Sequence, residues 1–202
     1  MVKKHRIPII SDILETNRTL KLLILSDILV YGALGFIAPI LSIFIEGNLE
    51  GGGIFTAGLA STIFLLTHAV LQIIFSYSFN PKDRLWMLWI GTGIIALVPV
   101  GYIFSTHIWH LFLAEFAYGV GAAFAYPSWS SLFTANLEKG KRGFQYSLYS
   151  SGLGIGTAIT AAVGGLIAEK VSFQLVFALT SILAILGLLI LFKLNRSVLR
   201  KT

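Results

Sequence analysis

The sequence predicts an all-α membrane protein of six transmembrane helices, built as two inverted repeats of three. Three observations predict it. Of 202 residues, 56% are hydrophobic and only 12% charged, against about 45–50% and about 25% in a soluble domain. So little charge cannot wet a soluble surface, which excludes a soluble enzyme. Six apolar stretches reach the ~20 residues that a helix needs to cross a bilayer. The chain also matches itself when slid by 88 residues.

An arm over residues 1–19 comes first. Its Ile9, Ile10, Ile13 and Leu14, set among Asp12, Glu15 and Arg18, suit a short helix lying on the membrane surface; a frayed polar tail suits them equally. The arm is not a signal peptide, because no small-residue cleavage site follows an apolar segment of the right length. The first three-helix repeat, residues 20–104, holds the spans Leu20–Ile45, Ile54–Tyr77 and Leu85–Phe104. The second, residues 105–193, holds Ile108–Thr134, Gln145–Ala168 and Val171–Phe192, and a basic tail closes the chain over 194–202. The joints Glu46–Gly53, Ser78–Arg84, Ser105–His107, Glu138–Phe144 and Glu169–Lys170 are short and polar. Such joints force neighbouring helices into antiparallel hairpins. Pro39, Pro99 and Pro127 fall inside spans and should bend them, since each removes a backbone hydrogen bond.

Positive charge orients the bundle. Lys3, Lys4, Arg6, Arg18 and Lys21 lie before or at the first span, Lys82 and Arg84 in the second joint, and Lys139, Lys141 and Arg142 in the fourth. With Lys193, Arg196, Arg200 and Lys201 in the tail, that makes 14 on one side against Lys170 alone on the other. The positive-inside rule then puts both termini in the cytoplasm of a plasma (inner) membrane. These charges are spread over four segments with no single patch, so nucleic acid is not a partner. With no cysteine in the chain, disulfides and thiolate metal sites are excluded. His107 and His110, beside Trp109, read as interface anchors; no metal and no cofactor are expected.

The repeat sets acid on acid and proline on proline. Asp27 meets Glu115, Phe36 meets Phe124, Pro39 meets Pro127 and Ser42 meets Ser130. Asn48-Leu49-Glu50-x-Gly52 then meets Asn136-Leu137-Glu138-x-Gly140. Three crossings per copy invert the second copy, the construction of several secondary-transporter folds.

Particular motifs carry a family likeness. Glu138-x-x-x-Arg142-Gly143 precedes a fifth span with Gly152, Gly154, Gly156 and Gly164-Gly165, and the fourth span holds Gly119-x-Gly121 and Pro127. With Pro39 in span one, the chain from Leu20 to Phe192 resembles the N-terminal six-helix half of a major facilitator superfamily (MFS) transporter. The resemblance implies the fold of such a half and gating or packing roles for Pro39, Arg84, Gly119, Gly121, Pro127, Arg142, Gly152, Gly156, Gly164 and Gly165. It departs in the second joint, where Ser76 replaces the family's glycine and Asn80 its aspartate while Arg84 keeps its charge. Glu115 stands where many members carry an arginine linked to proton coupling. The usual proton–drug antiport residues therefore do not carry over.

An ionisable group at membrane depth costs roughly 2.5–3.5 kcal/mol and is a functional candidate by default. Asp27, with Tyr31 one turn on, is a proton or cation site or else a structural acceptor. Glu115 heads a polar-aromatic stripe, Tyr118, Ala122, Tyr126 and Trp129, which reads as a cavity wall or a packed interface. His68 and Gln72 share a face of span two. Gly152, Gly156 and Thr160 recur every four residues, a spacing that permits close helix contact, and Gln145 and Tyr149 extend that face towards the cytoplasm.

Two functions fit. One is secondary active transport of a small solute by alternating access, coupled to H+ or Na+. The alternative is a non-transporting membrane scaffold or a subunit of a larger membrane complex. An intramembrane enzyme lacks any nucleophile–base pair, Walker loop or zinc motif. Because a lone six-helix wall would expose Asp27, His68 and Glu115 to lipid, a second copy or another six-helix half is expected as partner within the bilayer.

Overall fold

The structure, a computed structural model, describes residues 12–13, 16–78 and 84–194, the side chain of Arg84 excepted. Most of the surface helix expected over 9–14, the second joint and the basic tail therefore lie outside the described residues. Among the described residues the named helices run in order: α1 (Arg18–Leu34), α2 (Leu41–Asn48), α3 (Ile54–Ser78), α4 (Arg84–Ile103), α5 (Ile108–Ala135), α6 (Arg142–Lys170) and α7 (Phe173–Leu191). Among the described residues, α3, α5, α6 and α7, with α4 from Leu85, are long and apolar enough to cross a membrane.

The first expected span is divided. α1 starts at Asn17, whose side chain accepts from the Thr19 amide, and ends after 17 residues. The chain then tightens, with Phe36 N bonded to Ala33 O and Ile37 N to Leu34 O. Pro39 has no amide to continue the ladder and crowds the carbonyl one turn back. The eight-residue α2 resumes at Leu41. Pro99 and Pro127, by contrast, sit inside unbroken α4 and α5.

α4 and α7 pack together at the centre. α1 lies against α7 and α6, while α5 lies against α4 and α3. Antiparallel packing sorts the core by depth. One apolar layer joins the start of α1 to the end of α5 through Leu23, Ile24, Leu88, Trp129 and Phe133. The other joins the end of the first span to the starts of α5 and α7 through Phe36, Phe44, Leu111, Val176 and Phe177.

Small residues let the helices touch. A Cβ on Gly164 would lie 2.5 Å from Phe36 O, and one on Gly152 2.7 Å from Ile28 Cδ1. Gly156 also faces Ile28, and Thr160 Oγ1 donates to Gly32 O at 2.6 Å. The expected close packing of span five is thus a seam with α1. Gly119 abuts Thr67 of α3 and Gly121 abuts Gly91 of α4, whereas Gly165 faces open space.

The repeated Asn-Leu-Glu segments act as ties. After α2, Glu50 N donates to Thr106 O and Glu50 O accepts from Ile108 N, while its carboxylate meets His107 Nδ1 at 2.9 Å. After α5, Glu138 Oε1 accepts from Asn17 N, and Asn136 Oδ1 accepts from Asn17 Nδ2. The first segment thus binds the start of α5 and the second the start of α1. The left-handed turns fall on Gly51 (φ 78°) and Gly140 (φ 88°), one residue out of the 88-residue register.

Candidate functional site

Asp27 sits midway along α1 and is 7% exposed. Tyr149 of α6 donates its hydroxyl to Asp27 Oδ2 at 2.8 Å. Together they border a cavity of about 240 Å3. α1 contributes Ser26, Asp27, Val30 and Tyr31, and α5 contributes Ala125, Tyr126 and Trp129. α4 adds Leu88 and Thr92, and Leu191 closes it from α7.

The aromatic wall is braced. Trp129 stacks on Phe133 with ring centres 4.6 Å apart and meets Tyr149 at 4.7 Å. Its indole N–H donates to Leu23 O at 3.3 Å, tying α5 to α1. Ser26 gives its hydroxyl to Gly187 O at 2.8 Å, tying α1 to α7.

Glu115 stands apart from this cavity. It is 4% exposed and accepts from the Tyr102 hydroxyl of α4 at 2.7 Å. Tyr102 in turn lies edge-on to Phe177. Tyr118 turns to α3 and stacks on Phe64 at 4.2 Å. The stripe proposed along the fourth span therefore divides. Tyr126 and Trp129 reach the Asp27 cavity, Tyr118 faces α3, and Glu115 is enclosed against α4.

His68 stacks on Phe64 and stands edge-on to Tyr126 at 6.0 Å, with a buried Nε2 that has no hydrogen-bond partner. Gln72 lines a separate, open groove of about 910 Å3 with Tyr126, Pro127 and Ser130. Tyr126 is shared by both spaces and stands between them.

The expected exposure of these groups to lipid does not hold. Asp27 and Glu115 are buried and His68 half-buried within one chain: Tyr149 of α6 covers Asp27, Tyr102 of α4 covers Glu115, and Tyr126 of α5 stands against His68. Burial of the acids is thus no argument for a second wall. Tyr102 was not among the sequence-predicted residues, and no local pattern joins it to Glu115 across the third joint. Near the start of α6, Gln145 is fully buried and its Oε1 accepts from Glu138 N. Arg142 opens α6.

Helices of this length and composition, packed around buried acids, define an integral multi-pass membrane protein. Residues 23–202 match the model of the Major Facilitator Superfamily, and the chain belongs to it. It is 27% identical over 161 residues to an uncharacterized MFS-type transporter of Methanocaldococcus jannaschii, covering 77% of this chain and 40% of that protein. It is 28% identical over 151 residues to the multi-drug resistance efflux pump PmrA of Streptococcus pneumoniae, covering 73% and 37%. The POT family transporter PepTSo has the same fold over 87% of this chain and 37% of its own, with a TM-score of 0.68 at 14% identity. The chain spans about 40% of the length of these curated relatives.

Proposed function

We propose that this chain is a six-helix unit of a secondary active transporter that moves a small solute by alternating access. The observation that carries the reading is a buried acid, Asp27, on the wall of an aromatic-lined cavity enclosed by apolar helices. Desolvating a carboxylate is costly, and such groups in spans mark solute and ion pathways. The MFS relatives described above support transport as the activity. Asp27, Tyr31, Tyr126 and Trp129 contact the solute or its coupling ion, H+ or Na+. Glu115, held by Tyr102, is the second acid through which gradient energy enters.

Two three-helix repeats, 20–104 and 105–193, form the unit. Helix neighbours support this. α1 with α6 corresponds to α5 with α3, α1 with α7 to α5 with α4, and α4 with α7 to itself. The paired ties at Glu50 and Glu138 follow the same exchange. The 14-to-1 charge bias supports placing both termini on the cytoplasmic side of the plasma membrane.

A second six-helix unit supplies the opposite wall: another copy, a different subunit or a further stretch of polypeptide. Exposed apolar faces on α3 (Leu65, Leu66, Val70, Ile73) and α6 (Ile155, Ile159, Val163) flank the site and suit such a partner. Those same faces also suit docking on a larger complex without transport. Flux separates the two. Proteoliposomes with an entrapped pH or Na+ indicator are given a panel of small cations, neutral solutes and anions under an imposed gradient. Solute-evoked ion flux that Asp27→Asn removes is expected. Silence across the panel, in protein that retains its helicity, favours the docking role.

A further inference from the structure

We propose that the Asp27 cavity takes a small organic cation of trimethylammonium size, paired with the Asp27 carboxylate and cradled by Tyr31, Tyr126, Trp129 and Tyr149. This deepens the transport reading and rests on its site.

Charge comes first. Asp27 is the one acidic side chain among the residues lining the cavity, and no lysine, arginine or histidine lines it. An anionic solute would meet a carboxylate at close range in a medium of low dielectric, which is strongly unfavourable. A cation supplies the missing opposite charge.

The hydrogen-bond inventory narrows the class. Polyhydroxylated solutes and carboxylates need donors from the wall. Of the six side-chain donors on the wall, the indole N–H of Trp129 is given to Leu23 O, the Ser26 hydroxyl to Gly187 O and the Tyr149 hydroxyl to Asp27 itself, which leaves the hydroxyls of Tyr31, Thr92 and Tyr126. The walls offer chiefly ring faces and methyl groups. A methylated ammonium needs no donor, and aromatic faces attract it through their quadrupoles within about 6 Å. Trp129 and Tyr149 pack on each other, tilted by 39° with ring centres 4.7 Å apart, and so hold one another in place on the cavity wall.

Size sets the upper limit. At about 240 Å3 the cavity falls below the range of roughly 300–1,000 Å3 found for drug-sized ligands. Tyr126, 53% exposed, is the side chain whose rotation would join this cavity to the open groove.

The test uses three probes of one shape: choline, its neutral isostere 3,3-dimethylbutan-1-ol, and the anion 3,3-dimethylbutyrate. Each is titrated against the full chain in nanodiscs, with tryptophan fluorescence as the signal. Choline should bind at least tenfold more tightly than the alcohol, and the anion should bind weakest. Asp27→Asn should remove the tenfold preference while leaving the alcohol within twofold of its wild-type affinity. If that variant fails to fold, Tyr31→Leu serves instead and should weaken choline severalfold more than the alcohol. An alcohol or anion that binds as tightly as choline overturns the inference, as does the absence of choline binding. Solute-evoked flux without a cation preference removes this inference alone. Choline binding in a chain that shows no flux removes the transport reading alone.

Discussion

Replacing Gly35 with alanine puts a methyl group into the seam between α1 and α6. The added carbon would collide with Thr160 Oγ1 and lie 2.7 Å from Thr157 O and 3.0 Å from Gly32 O. The threonine hydroxyl can rotate, at the loss of its bond to Gly32 O, but the Thr157 carbonyl belongs to helix backbone. Raising 2.7 Å to the 3.4 Å of ordinary contact opens the seam by about 0.7 Å. Overpacking of this kind costs typically about 1–3 kcal/mol. At about 2–4 °C per kcal/mol for a chain of this size, the melting temperature should fall by about 2–12 °C. Thermal unfolding in a mild detergent, followed by circular dichroism, reads the change. Gly165→Ala is the control, because its Cβ would meet nothing within 4 Å. Alanine in a helix interior gains up to about 1 kcal/mol over glycine, so that variant should match or exceed wild type. Equal effects at the two positions would refute the seam.

The remaining predictions concern chemistry and assembly. Glu115→Gln should leave the chain folded and abolish pH-gradient dependence of flux; unchanged gradient-driven flux in proteoliposomes would remove Glu115 from coupling. Tyr102→Phe strips the hydrogen bond from Glu115 Oε1, so flux under a fixed gradient should fall severalfold in proteoliposomes; unchanged flux would remove Tyr102 from the positioning of Glu115. Glu138→Ala frees Asn17 N from its carboxylate partner, and hydrogen exchange should quicken at the start of α1 while α7 stays protected. Single cysteines at Tyr126 and Ser151, in a chain with none of its own, should cross-link in native membranes if the second wall is another copy; no dimer from either position excludes that partner.

Spans two to six were legible because length and apolarity decide whether a segment crosses a bilayer, and both are local properties. The break in span one was not. Pro39, Pro99 and Pro127 look alike in sequence, yet only the first interrupts its helix, where Gly35 and Phe36 press on Thr160 and Gly164. That neighbour lies over a hundred residues away. The four-residue spacing of Gly152, Gly156 and Thr160 announced a close seam without saying which helix would fill it. Asp27, Tyr31, Tyr126 and Trp129 were legible as candidates, and the cavity does gather all four. The periodicity that put Glu115 with them describes one helix face only. Tyr102 captures Glu115 from the other side, and Tyr149 reaches Asp27 from 122 positions on. Such pairings come from packing, which leaves no trace in spacing.

Whether the Asp27 cavity opens to each side in turn, as proposed, can be measured without knowing the solute. A cysteine is placed at Thr92, which lines the cavity and is 4% exposed. The protein is reconstituted in one orientation and labelled with a membrane-impermeant thiol reagent from each side in turn. The account predicts labelling from both sides, with the favoured side changing when the imposed pH or Na+ gradient is reversed. Labelling from one side alone under every gradient, or from neither, would contradict it.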